Sequence, residues 1–127
     1  MPLELFSLKG KSALVTGGSR GIGAELCLAL AGAGADVAVV SRKAEKCEPI
    51  AAKVRELGVR AIAVGAHVGK AEDCDRAIEE TVKAFGTIDI LVNNAATNPA
   101  FGFAVDCSDD LFTKIMDVNV KGPFMLI

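Results

Sequence analysis

The chain has 127 residues, 51% hydrophobic and 24% charged, and 14 Lys+Arg against 16 Asp+Glu give a net charge of −2. That apolar share excludes a disordered chain, which would lack the surface to offset the entropy of ordering, and the length suits one domain. The near-neutral balance excludes a broad basic field for nucleic acid. Apolar runs such as Leu28 to Ala31 and Val37 to Val40 fall far short of the ~20 residues that a membrane span needs.

Taken in order, Met1 to Lys11 carries Glu4 and lacks a basic stretch followed by an apolar one, so no signal peptide is expected. Ser12 to Thr16 reads as a first strand. Val37 to Ser41, Ala61 to Val64 and Asp89 to Asn93 read as later ones. Between them, Ile22 to Ala33, Ala44 to Leu57 and Ala71 to Phe85 carry apolar residues at helical spacing. In the third, Cys74, Ala77, Ile78, Thr81, Val82 and Phe85 are expected to share one face. Gly32 and Gly34, Gly58 and Gly86 follow these patterns as helix stops. Nearly all-apolar strands separated by helices predict a parallel sheet covered on both faces. Right-handed crossovers then favour a doubly wound order 3-2-1-4.

A last helical pattern opens at Ser108-Asp109-Asp110, with Ser108 as cap and the acids suited to the positive helix end. It continues through Leu111, Phe112, Ile115, Met116, Val118 and Phe124 to Ile127. Asp117 and Lys121, one turn apart, are expected to form a surface pair. The apolar ending and the open edge of the fourth strand lead us to expect the front half of a longer protein, with a complete small nucleotide-binding domain as the alternative. Cys27, Cys47, Cys74 and Cys107 show no C-x-x-C spacing, and His67 is the only histidine, so no metal site is expected. The cysteines read as reduced thiols of an intracellular protein. The cytoplasm is the expected compartment, with the peroxisome or mitochondrion as alternatives.

Directly after the first strand comes Thr16-Gly17-Gly18-Ser19-Arg20-Gly21-Ile22-Gly23, opening a helix. Glycines there let the backbone turn sharply and approach a pyrophosphate, whose charge suits a helix N-terminus. The glycines do not follow the strict G-x-G-x-x-G spacing. At the end of the second strand stand Ser41, Arg42 and Lys43, with no carboxylate. An acid at that point holds the ribose hydroxyls of NAD, whereas positive charge suits the 2′-phosphate of NADP. A guanidinium matches phosphate by bidentate geometry, and Arg20 lies in the adjacent glycine loop, so NADP(H) is the predicted cofactor. The bland alternative is a solvated basic corner.

Thr-Gly-x-x-x-Gly-x-Gly resembles the motif of the classical short-chain dehydrogenases/reductases. Asn93-Asn94-Ala95-Ala96 is similar to that family's Asn-Asn-Ala-Gly, with Ala96 in place of glycine, and Asp117-Val118-Asn119-Val120 resembles its helix-asparagine motif. The resemblance implies a Rossmann-type dinucleotide-binding domain over residues 1–127, lacking the catalytic half. It implies Gly17 to Gly23 at the pyrophosphate and ribose phosphate, Asn94, Ala95 and Ala96 at the adenosine, and carbonyl or alcohol substrates. It also implies a homodimer or homotetramer formed partly through the helix of Asn119.

Family members usually carry Asp-Val where this chain has His67-Val68. An adenine contact and an ordinary strand-end role for His67 stay equally open. The run from His67 to Asp73, with Asn94 to Pro99, looks like the carbonyl-reductase branch that includes peroxisomal NADP-dependent retinol and dicarbonyl reductases. Asn119 falls within a helical pattern, where its propensity is poor, so a hydrogen-bond partner is expected. In similar enzymes the residue matching Asn119 supports a proton relay; a helix kink-and-hydrogen-bond role is the alternative. The family's Ser and Tyr-x-x-x-Lys have no counterpart here, since the chain has no Tyr. A non-catalytic nucleotide-binding or oligomer-interfering isoform is therefore the rival reading. The segment from Asn98 to Asp106 either borders a substrate mouth or forms a surface loop with its aromatics buried. A nucleotide methyltransferase is disfavoured, because its fold usually places an acid where Arg42 stands.

Overall fold

The computed structural model describes residues 2–127. Four strands, β1 (Ser12–Thr16), β2 (Asp36–Ser41), β3 (Ala61–Gly65) and β4 (Ile90–Val92), form one parallel sheet in the order β3-β2-β1-β4. This is the Rossmann-type, doubly wound order that the alternation of strands and helices predicts. The register runs Ser12↔Asp36 to Thr16↔Val40 on one side of β1 and Ala13↔Ile90 to Val15↔Val92 on the other.

Three helices cover the sheet: α1 (Gly21–Gly32), α2 (Ala44–Glu56) and α3 (Ala71–Phe85). Successive strand side chains point to opposite faces. Val15, Val37 and Val39 accordingly pack with Cys27 and Ala31 of α1 and Cys47, Ala51 and Val54 of α2. Leu14, Ala38, Val40 and Val64 pack on the other face with Ala77 of α3. Because both faces are covered, β1 is buried along its whole length, and each large aliphatic side chain withdrawn from water contributes about 1.5–3 kcal/mol.

At the amino ends of the strands Arg60 acts as a clasp. Its guanidinium meets the Asp36 carboxylate at 2.6 and 2.9 Å, donates to the Ala84 carbonyl at 3.2 Å and lies 5.2 Å from the Phe85 ring centre. This ties β2, β3 and the end of α3 together at the sheet end opposite the glycine loop.

Several local expectations change. β4 is shorter than Asp89 to Asn93, because Asp89 spends its carboxylate on the Ser12 N–H at 2.9 Å. Val82 sits at the rim of the buried α3 face, 41% exposed, beside Ile78 and Leu91. The last helical pattern is not one continuous helix. It consists of α4 (Asp109–Met116), a π-helical turn (Asp117–Lys121) and α5 (Gly122–Leu126). Ser108 caps α4 as expected, accepting from the Leu111 N–H at 3.1 Å. Pro123 has no N–H to offer the Asn119 carbonyl four residues earlier, and its ring crowds that carbonyl in regular α geometry; a wider turn falls there instead. No ion pair joins Asp117 and Lys121 among the described residues. Val118 and Leu126 turn inward against Val68 and Cys74, whereas Phe112, Met116, Val120 and Phe124 face solvent. Short 3-10 turns at Pro2–Phe6 and Ala104–Asp106 carry no clear signal in the sequence.

No helix among the described residues is long and apolar enough to cross a membrane. Nor do the described residues contain a cluster of three or more His, Cys, Asp or Glu able to hold a metal ion.

Candidate functional site

The carboxyl ends of β1, β2, β3 and β4 gather most of the residues singled out in the sequence. After Thr16 the chain turns through Gly17 (φ +63°) and Gly21 (φ +57°), left-handed conformations that side chains rarely adopt. Gly18 is buried and donates its N–H to the Val40 carbonyl at 3.0 Å, fixing the loop over β2. A Cβ added to Gly23 would lie 1.9 Å from the Gly17 oxygen, so only glycine lets α1 start this close to the strand. Ala24 donates to the Arg20 carbonyl at 3.3 Å, and the N–H groups just before it belong to the first turn, which has no intrahelical acceptors. Ile22 and Arg20 project from the loop into solvent, and Ser19 is half-buried. The result is a concave backbone cradle at a positive helix end, suited to an anion.

The loop after β4 is bolted to this cradle. Thr16 Oγ1 accepts from the Asn94 N–H at 3.1 Å and the Ala95 N–H at 3.0 Å, and donates to the Val92 carbonyl at 3.3 Å. That uses the full capacity of one hydroxyl. The Asn94 side-chain amide donates to the Thr16 and Gly17 carbonyls, both at 3.2 Å. Asn94 therefore fastens the glycine loop from below, while Ala96 beside it is exposed. Thr16 opens the glycine motif in the sequence, but the motif alone does not assign it the role of bolt between the two loops.

At the β2 end, Ser41 is half-buried and Arg42 and Lys43 are exposed. The Ser41 carbonyl accepts from the Ala66 N–H at 2.7 Å, which joins this tip to the end of β3. There the His67 ring accepts a hydrogen bond at Nδ1 from the Gly69 N–H at 3.0 Å, and the His67 N–H donates to Asp73 Oδ2 at 2.8 Å. The imidazole thus closes the strand-end turn through its Nδ1. The Asp73 carboxyl is held below the usual carboxylate range, chiefly by that His67 N–H and further by Arg76 and Lys70, against a smaller opposing effect of burial. Val68 is buried beneath this turn.

Asn119 lies in the π turn, half-buried, and reaches the loop after β4. Its Oδ1 accepts from the Thr97 N–H at 2.7 Å and its Nδ2 donates to the Thr97 carbonyl at 2.9 Å. This two-point clasp is the partner that an asparagine within a helical pattern calls for; that the partner is Thr97 is what the sequence does not name. The segment from Asn98 to Asp106 is exposed throughout, with Phe101 fully open to solvent and Phe103 nearly so. The alternative of a loop with buried aromatics is therefore wrong.

Fold and glycine cradle together define an α/β protein of the Rossmann type. Residues 11–127 match the family model described as short chain dehydrogenase. The human dehydrogenase/reductase SDR family member 4 is 42% identical over 119 residues, covering 94% of this chain and 43% of that protein. A short chain dehydrogenase from Burkholderia cenocepacia, solved in complex with NADP, is 42% identical with a TM-score of 0.88, over 94% of this chain and 49% of that one. A 3-ketoacyl-(acyl-carrier-protein) reductase from Brucella melitensis, complexed with NADH, is 36% identical with a TM-score of 0.87, over 94% of this chain and 48% of that one. The chain belongs to the short-chain dehydrogenase family, and it spans less than half the length of these relatives.

Proposed function

We propose that residues 1–127 form the dinucleotide-binding part of an NADP(H)-dependent oxidoreductase acting on small carbonyl or alcohol substrates. One observation carries the cofactor choice. Arg55, Arg60 and Arg76 are ion-paired to carboxylates, whereas Arg20 and Arg42 have no acidic partner among the described residues. These two are the arginines at the carboxyl ends of the central strands, and no acid stands among Ser41, Arg42 and Lys43. Relatives solved with NADP and with NADH both resemble this chain, so the choice rests on its own residues.

In this reading Gly17, Gly18, Ser19, Gly21, Ile22 and Gly23 hold the pyrophosphate, and Arg20, Ser41, Arg42 and Lys43 take the ribose 2′-phosphate. His67, Val68, Asn94, Ala95 and Ala96 border the adenosine. Asn119 positions the loop after β4 beside the reacting half of the dinucleotide. When bound, the nicotinamide supplies or accepts the hydride. With no tyrosine in the chain, the proton donor of the family has no counterpart here, and cofactor binding without useful turnover is expected of these residues alone.

The test is a fluorescence titration with NADPH and NADH. Charge-assisted hydrogen bonds of about 1.5–3 kcal/mol put the NADPH preference at roughly 10- to 100-fold, and Arg42→Glu should abolish it. Tighter NADH binding, or a ratio unmoved by Arg42→Glu, overturns the reading. The exposed apolar row Phe112, Met116, Val120 and Phe124 supports assembly of the longer protein as a dimer or tetramer through this face. The same row favours the second reading, an oligomer-interfering isoform. Turnover of a small diketone with NADPH by this chain would exclude it.

A further inference from the structure

We infer that Cys47 is a positioning residue for Arg42, and through it a determinant of selectivity for a dinucleotide that carries a ribose phosphate. The inference rests on the reading of Arg42 given above. Cys47 lies in the first turn of α2 and is wholly buried, with its Sγ 3.0 Å from Ser41 Oγ. Ser41 Oγ donates to the Lys43 carbonyl at 3.4 Å. Either atom can donate in the contact between sulfur and oxygen; with the hydroxyl turned to the Lys43 carbonyl, the thiol donates. Its other acceptor, the Val64 carbonyl, is farther away at 3.8 Å.

The hydrogen bonds therefore run from Cys47 to Ser41 to the Lys43 carbonyl, which also accepts the Lys46 N–H at 3.1 Å. The Ser41 carbonyl is pinned separately by the Ala66 N–H. Arg42 is the one residue between two carbonyls held in this way. Its own side chain has no acidic partner among the described residues, so nothing but the backbone on either side directs it. A guanidinium recognises phosphate through a planar fork, and the fork's aim depends on where its Cα is held. A buried thiol acting only as filler would not need a hydroxyl within hydrogen-bond distance. Here the sulfur is the inner end of a chain that closes the turn carrying Arg42.

The test is the ratio of the NADH and NADPH dissociation constants for the 127-residue chain. Cys47→Ala removes the donor, and Cys47→Val removes it while keeping the space filled. Each should lower the ratio by about fivefold, the equivalent of one hydrogen bond, through weaker NADPH binding with NADH affinity unchanged. Cys47→Ser keeps a donor and should restore most of the ratio. In an Arg42→Ala background the Cys47 substitutions should leave the ratio where it is, since the two act in series. A fall in affinity for both dinucleotides alike, or a ratio unmoved by Ala and Val, overturns the role of Cys47. A native chain that does not prefer NADPH overturns the reading of Arg42 itself, which is a separate result.

Discussion

Gly23 has the least room for change of any residue at the site. Its missing Cβ is what brings α1 onto the Gly17 carbonyl, and a methyl group there would force the helix start or the loop to move. Gly23→Ala should cost about 1–3 kcal/mol of stability, in line with overpacking of a tight contact, and should weaken NADPH binding at least tenfold. Gly32→Ala is the natural control. It lies at the end of the same helix with nothing within 4 Å of the added Cβ and should be neutral or slightly stabilising. Thermal melting and NADPH titration of both variants check the pair. Equal affinity in Gly23→Ala and the parent would mean that the close approach serves packing alone.

At the level of elements, the strands and helices were legible because each is a run of one periodicity, the first three helices end at or just before a glycine, and the buried parallel sheet makes its strands apolar nearly throughout. The glycine cradle was legible for a related reason: residues 16–23 are contiguous, so their spacing carries their geometry. For the Asn119 clasp only the need for a partner was legible. Its partner Thr97 is 22 residues away, and the contact depends on a π turn that leaves the apolar spacing from Leu111 to Phe124 looking like ordinary helix. The roles of Thr16, which spacing marks only as the start of the glycine motif, and of Cys47, which it marks only as a reduced thiol, rest on partners that spacing does not give. The clasp carries its own prediction. Asn119→Ala leaves the Thr97 N–H and carbonyl without their partners and should cost about 1–3 kcal/mol. The Thr97 amide should then exchange with solvent faster than the amides of β1, as hydrogen exchange would show. If its protection were unchanged, the clasp would not be what holds the loop after β4.

Across the whole molecule, the four cysteines report on the integrity of both layers. Cys27 and Cys47 are buried between the sheet and α1 and α2, Cys74 lies under the α3 side, and Cys107 is exposed before α4. Burial pushes the Cys27 thiol up to about 12, helped by the neighbouring Cys47, and burial also raises Cys47 and Cys74. In the unfolded chain a thiol ionises near pH 8.5. Above that pH the unfolded state releases these protons while the folded state keeps them, so fewer protons are bound when unfolded and stability falls as pH rises. The effect is absent below about pH 8.5 and grows until the folded thiols ionise, near pH 12 for Cys27. The urea midpoint should therefore drop between pH 8 and pH 10. Labelling with a thiol reagent at pH 8 should show one fast group, Cys107, and three slow ones whose rate follows unfolding. Three fast thiols in the folded chain would mean that α1 and α2 open locally, and the cradle they support would then be formed only part of the time.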